Sequence, residues 1–481
     1  MSRRQAVIRK ERLRMFFGVV MTIAVVVLAS ACNLAPKYVR PAITVPDTYK
    51  ENNGQDAWKP AEPGDQQSRG HWWEAFSDRQ LNALEEQATL GNETVAAAAA
   101  NVAVARALVR ETRAQYVPTV TAAPAISNTR VSTGFGQSLG LDYTTYSLPV
   151  EASWEPDLWG RVRNSVRSRT FAAQASVADL ENVRLAVQAE LAADYFELRV
   201  QDTLKEILDA TVVNYEDAAA VTRDRYNAGL EADEAVAQAE TQLATAQAQD
   251  ANLAVARAEY EHAIAVLTGQ PPSTFSLAAS ALTADPLSVP PGLPSALLER
   301  RPDVAAAERA VAAANADVGV ARSAFFPIAA LTASAGFQNV SIADWFAWPS
   351  RVWSLGPSAV QTAFDGGARR AEADRTRAVY DQVVANYRQT VLTAFQQVED
   401  NLAAVRILAE VIVRQEVAVA AAQRAVADAN TRYAAGLDPY LNVIVAQAAL
   451  LASQQAVVNS RAQRVIASVQ LIKALGGGWS R

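Results

Sequence analysis

The sequence predicts a mainly α-helical protein with a membrane β part, written as two repeats of one plan. Three observations carry this. "RYNAGLEADEAVAQAETQLATAQ" starts at Arg225 and "RYAAGLDPYLNVIVAQAALLASQQ" at Arg432, 207 residues later. A repeat this long points to duplication of a large unit. Two long stretches lack proline and almost lack glycine, the residues that stop helices. Between them lie segments with strand-like alternation of apolar and polar residues.

In chain order, the first element is a secretory signal, residues 1–31. Six basic residues and Glu11 precede an apolar run, Met15 to Ala31, that ends in small residues. A membrane anchor is the competing reading, but 17 residues sit at the short limit for crossing hydrocarbon. The run meets Cys32, the only cysteine, in a context like a lipoprotein box; Ala29 stands where leucine is commoner. Cys32 is therefore the expected lipid attachment site, and Asn33 favours the outer membrane. Residues 32–79 form a segment leading into the helices.

The first repeat, 80–270, reads as a helix near 80–115, two strands, a long helix over 161–227, a turn, and a helix near 231–268. A proline-rich linker spans 271–294. The second repeat, 295–476, has a helix near 295–325, two strands, a long helix over 368–434, a turn, and a helix near 440–475, followed by a short tail, 477–481. At helical rise each 67-residue helix is about 100 Å long, which no compact domain requires. The helices flanking each long one hold about as many residues together, so pairs of them stacked end to end match it. Gly229 and Gly436 suit left-handed helix ends, and Pro439 suits the first turn of the next helix.

The strands decide the reading. In "SLPVEASWE", Leu148, Val150, Ala152 and Trp154 alternate with polar residues; "IAALTASAGF" puts Ala329, Leu331, Ala333, Ala335 and Phe337 on one side. Further strands are expected near 118–127 and 352–364. One pair is joined by the glycine-rich "STGFGQSLGLD", the other by a loop with Trp345, Phe346 and Trp348. Aromatics flanking an alternating strand are typical of a membrane-interface girdle; a soluble hairpin packed on helices is the alternative. If the strands span a bilayer, four cannot close a barrel, so copies must share one.

Composition excludes other classes. The chain carries a net charge of −6, or −11 without the basic signal, which argues against a nucleic-acid partner. One cysteine and two histidines, His71 and His262, give little to build a metal centre or a nucleophile–base pair, so no enzyme is expected. There is no glycine-rich phosphate loop.

Several stretches, "CNLAPKYVRPAITVPDTY", "WWEAFSDRQLNALEEQATLGN", "SWEPDLWGRVRNSV" and "LPSALLERRPDVAAAERAVAAANADVGVARSAFFPIAAL", resemble the outer membrane factor (TolC-like) family of bacterial efflux and secretion systems, in its nodulation-type (NodT) lipoprotein branch. The resemblance covers essentially the whole mature chain. It implies a homotrimer with a twelve-stranded barrel, four strands per chain, continuing into a periplasmic tunnel of helices. It implies an outer-membrane exit duct that works passively with a periplasmic adaptor protein and an inner-membrane pump. No cofactor is expected beyond the lipid on Cys32. The turns become adaptor-docking elements, with Gly229, Leu230, Gly436 and Leu437 as contacts. Leu441, Val445, Ala448 and Asp438 are constriction candidates. Many relatives carry a leucine-x-x-x-Asp-Ala-Gln-Arg pattern after the second turn; Val445 and Ala448 replace its charged pair here, so an apolar constriction is expected. Glu231, Asp233, Glu234 and Asp438 are placed on the tip. A duct for polypeptide secretion, and a coiled-coil lipoprotein without a pore, remain as alternatives.

Overall fold

The computed structural model describes residues 34–43, 45–46, 49–51, 70–130, 142–287 and 300–477. The signal segment, Cys32, the glycine-rich stretch 131–141 and linker residues 288–294 lie outside the described residues. Seven helices are labelled here: α1 (Arg79–Gly91), α2 (Glu93–Arg113), α3 (Arg161–Asn227), α4 (Asp233–Leu267), α5 (Pro302–Ser323), α6 (Ala368–Ala434) and α7 (Tyr440–Ala474). Five strands accompany them: β1 (Thr119–Ala122), β2 (Ala125–Arg130), β3 (Asp142–Trp154), β4 (Ile328–Asn339) and β5 (Arg351–Val360).

The duplication is visible in the helix lengths. α3 and α6 hold 67 residues each, α4 and α7 35 each. All four end the same way. A glycine (Gly229, Gly269, Gly436 or Gly476) adopts positive φ, and the following residue's N–H reaches back five residues to a carbonyl, as Leu230 does to Arg225 at 2.9 Å. This closes the last turn and satisfies carbonyls that the helix leaves unpaired.

Two helices expected to be continuous are broken. The helix expected near 80–115 stops at Asn92, whose side chain accepts from the Val95 N–H (3.0 Å) and donates to the Leu267 carbonyl (2.9 Å). Asn92 thus caps α2 while binding the end of α4. The helix expected near 295–325 is interrupted at Arg301, before Pro302 opens α5; proline is favoured at the first helical position. Arg301 Nη1 donates to the Ala474 carbonyl at 2.9 Å, at the end of α7. Both breaks therefore seat the end of a returning helix, α4 at one and α7 at the other.

The sheet has order β1-β3-β4-β5, with β2 also paired to β3, all antiparallel. β1 and β2 keep one register along β3, with Ala122 opposite Val150 and Ala125 opposite Ser147. They are one strand interrupted at Ala123–Pro124, because Pro124 and the facing Pro149 have no N–H to give the ladder. Cross-strand partners share a face. Val120, Ala152, Ala333 and Leu355 lie in one row, with Ala122, Val150, Ala335 and Trp353 beside it. The opposite face carries Thr121, Glu151, Ser334 and Ser354, the two serines bonded at 2.8 Å. One face is apolar and the other polar, and most of both is exposed.

Two compact units draw from both repeats rather than following them. One comprises residues 1–42, 101–176 and 307–387 and holds the sheet; the other comprises 43–100, 177–306 and 388–481. In the sheet unit, Asn315 Nδ2 donates to the Pro36 carbonyl at 2.9 Å, and the Tyr38 hydroxyl donates to Glu308, tying down the amino-terminal segment. In the other unit, Trp72, Leu81, Leu191, Phe196, Ile264 and Val469 form the core. Its linker is held by buried charge: Arg199 and Arg257 both grip Asp202 and donate to the Ala278 and Leu277 carbonyls at 2.8 and 2.7 Å. α7 is long and apolar enough to cross a membrane by composition, but Val465, Val469 and Ile472 on its last turns enter this core.

Candidate functional site

Two regions stand out, the sheet and the pair of turns. At one end of the sheet, in the sheet unit, the Trp154 indole donates to the Tyr116 carbonyl (3.1 Å) and the Trp159 indole to the Pro327 carbonyl (2.7 Å). Trp159 stacks on Phe326 with centroids 4.9 Å apart. At the other end Trp345 stacks on Phe346 (4.8 Å) and approaches Tyr146 (5.8 Å). Aromatic side chains with polar tips bracket the apolar face on both sides, as at the two boundaries of a bilayer. The Trp345–Trp348 loop was legible in the sequence; the opposite cluster was not, because its members come from three separate segments.

Both turns lie in the second unit. Gly229, Leu230, Gly436 and Leu437 are exposed, with Leu230 and Leu437 about 70% so. Beneath them Tyr433 and Tyr440 are buried with Ala219, Ala235, Ala239 and Val443, the two rings 5.2 Å apart. Leu441, Val445 and Ala448 are all exposed and, at four- and three-residue spacing, share one face of α7, away from buried Tyr440 and Val443. That face carries no charge at those positions.

Each turn also carries an arginine clamped to an acid six residues on. Arg432 donates through Nε (2.6 Å) and Nη2 (3.2 Å) to Asp438; Arg225 stands 3.5 Å from Glu231. The Arg225 guanidinium lies 4.9 Å above the Tyr433 ring, and the Tyr433 hydroxyl donates to Glu231 at 3.3 Å. The two turns are thereby fastened to each other. Sequence reasoning named the acids but missed the arginines, although both stand first in the repeated "RY.AGL" text. It also missed Glu190, Asp194 and Glu197, spaced along one face of α3; burial, with Glu190 and Glu197 adding to it, pushes Asp194 up to about 6.

Arg432 holds the Asp438 carboxyl below the usual carboxylate range. A depressed acid stabilises the fold above its unfolded pKa and loses that contribution as pH falls through the folded value. The protection factor of the Leu437 amide, exchange measured against its intrinsic rate at each pH, should therefore fall below about pH 4. In Asp438→Asn that protection factor should be low at neutral pH already and should not fall further in acid; an unchanged acid profile in that variant would remove the pair from the account.

A profile of the family described as "Outer membrane efflux protein" matches residues 84–270 and 293–477. The chain belongs to that family. The two matched blocks follow the duplication. The solvent efflux pump outer membrane protein SrpC of Pseudomonas putida is 33% identical over 94% of this chain and 97% of its own. The outer membrane protein OprJ of Pseudomonas aeruginosa is 32% identical over 96% of each. The solved outer-membrane channel OprN superposes with a TM-score of 0.84 at 29% identity, covering 93% of this chain and all of that one. This outer membrane efflux protein is an outer-membrane channel of the TolC-like fold, with a β-barrel part and a helical periplasmic extension. An apolar strand face of this kind is what a barrel wall presents to hydrocarbon.

Proposed function

We infer that three copies of this chain close one twelve-stranded barrel and form the passive exit duct of a tripartite pump, without enzymatic activity of their own. The observation that carries this is the sheet. It is four strands wide, apolar on one face and polar on the other, with β1–β2 and β5 at its edges and no described strand beside either. Unpaired edges cannot persist in hydrocarbon, and a single chain of four strands cannot curl into a barrel. Cross-linking and native mass analysis of the membrane-inserted protein should give three chains. A stable inserted monomer would contradict the proposal.

The exposed Leu230 and Leu437, set on rigid glycine-terminated turns, suit docking to a periplasmic adaptor, which in turn engages an inner-membrane pump. SrpC and OprJ are named as efflux-pump or outer membrane proteins, which supports such partners. The pump then selects what is exported.

Leu441, Val445 and Ala448 give the duct an apolar constriction, which blocks ions by dewetting and presents no fixed charge to multivalent cations. Asp438 does not restore an acidic ring, because Arg432 neutralises it. Trivalent cations added from the periplasmic side should block reconstituted channels only weakly, and Val445→Asp should strengthen the block by focusing negative potential in the throat. Strong block of the native channel, abolished by Asp438→Ala, would move the acidic ring to the turn.

Cys32 is proposed to carry the lipid anchor. In support, the segment that follows it is pinned to the fold from Pro36 onward. Mass spectrometry of the mature protein should find an acylated cysteine at its amino terminus, and an intact 1–31 segment would sink the idea.

A further inference from the structure

The apolar face of the sheet ends at Trp154, whose indole binds the Tyr116 carbonyl, so the end of α2 sits at the membrane boundary. The helices leave the sheet toward the periplasm, so this boundary belongs to the inner leaflet. Arg106, Arg110 and Arg113 follow one another at four- and three-residue spacing and share one face of α2. From α3, Arg163 and Arg167 act electrostatically on the Tyr116 phenol together with Arg113, which brings the two helices' arginines to one place. Arg106, Arg110, Arg113 and Arg167 are exposed.

The acids nearby do not cancel them. Among the described residues Glu155 is committed to Arg161 and Asp157 to Arg163, and Glu111 is the one acid on the last three turns of α2. The four exposed arginines enter no described ion pair. At the matching junction of the second repeat the pattern differs: Arg369, Arg375 and Arg377 are paired with Asp365, Glu372 and Asp381. In a chain of net charge −6 these four arginines form a basic cluster without a described acidic partner. It is larger than the two exposed arginines, Arg322 and Arg370, that enter no described ion pair at the second junction.

We propose that Arg106, Arg110, Arg113 and Arg167 form a binding surface for anionic phospholipid headgroups of the periplasmic leaflet. Guanidinium groups donate in pairs to phosphate oxygens and shed water readily. Basic residues next to a membrane span concentrate acidic lipid within a Debye length of the surface. The surface would give each chain a fixed ring position and depth that the apolar band alone does not specify.

The proposal rests on the apolar face meeting lipid. Full-length protein is reconstituted into phosphatidylcholine vesicles containing trace spin-labelled phosphatidylglycerol or spin-labelled phosphatidylcholine. Failure to float with the vesicles would refute the membrane reading itself. Given flotation, the motionally restricted fraction should favour phosphatidylglycerol by about threefold or more and lose that preference in about 1 M salt. The combined variant Arg106→Gln, Arg110→Gln, Arg113→Gln, Arg167→Gln should bring the ratio to one, while the same four positions as lysine, or Arg375→Gln, should keep it. Equal association of both lipids with the native protein, or a preference that survives the glutamine variant, would overturn the proposal. Displacement of the label by inorganic phosphate at matched ionic strength would do so too, by revealing a free-anion site. The native protein's ratio and its salt dependence decide the matter even if the variant fails to assemble.

Discussion

Leu355→Arg is expected to abolish insertion into the outer membrane, whereas Ser354→Arg, one residue away, leaves insertion intact and alters conductance. Leu355 lies mid-strand in β5, two-thirds exposed, in the row with Ala333, Ala152 and Val120. On the lipid side an arginine near the midplane costs roughly 2–4 kcal/mol per chain, and a trimer would carry that cost three times. Ser354 points to the other face, where it bonds Ser334 at 2.8 Å. There an arginine loses one exposed hydrogen bond, worth about 1 kcal/mol, and enters a water-filled lumen. Outer-membrane fractionation and vesicle flotation measure insertion, and planar-bilayer recording measures conductance. Insertion of the Leu355 variant together with exclusion of the Ser354 variant would mean that the faces are assigned backwards.

The faces of β3 and β4 were readable from the sequence, because the period-two alternation in "SLPVEASWE" and "IAALTASAGF" needs only the chain's own order. β5 alternates less cleanly, and Leu355 and Ser354 take their faces from the pairing with Ala333 and Ser334. The spans of α3 and α6 were readable for a similar reason: proline and glycine mark helix ends locally. The features that sequence reasoning missed are set by distant partners. Asn92 reads as one polar residue in a helical pattern, and only the carbonyl of Leu267, 175 positions on, makes it the seat of a returning helix end. Arg225 stacks over Tyr433, across the two repeats. The aromatic cluster of Tyr116, Trp154, Trp159 and Phe326 is likewise assembled from separate segments. The constriction residues fall between these cases. Helical spacing places Leu441, Val445 and Ala448 on one face, but only the burial of Tyr440 and Val443 shows that this face is the open one.

The same division separates two glycines that the sequence presents alike. Both Gly229 and Gly269 end a helix with positive φ, +71° and +76°. A Cβ at Gly229 would meet nothing within 4 Å, so Gly229→Ala carries only the left-handed backbone cost of about 1–2 kcal/mol. A Cβ at Gly269 would lie 2.1 Å from the Gly91 carbonyl oxygen and 2.8 Å from its carbon. Those are backbone atoms at the break between α1 and α2, and they cannot rotate aside. Relieving the overlap means moving the end of α4 off the Asn92 seat, which adds an overpacking cost of about 1–3 kcal/mol and exposes the Asn92 amide. Gly269→Ala should therefore lower folded yield and the thermal midpoint well beyond Gly229→Ala, followed by helical circular dichroism on the assembled protein. Function should separate the other way. Gly229→Ala perturbs an exposed turn proposed to dock the adaptor, so it should weaken adaptor cross-linking while the duct stays folded. Equal thermal shifts from the two substitutions would show that the assembled protein does not hold the Gly91–Gly269 approach, and that the break at Asn92 is a loose joint rather than a fixed seat.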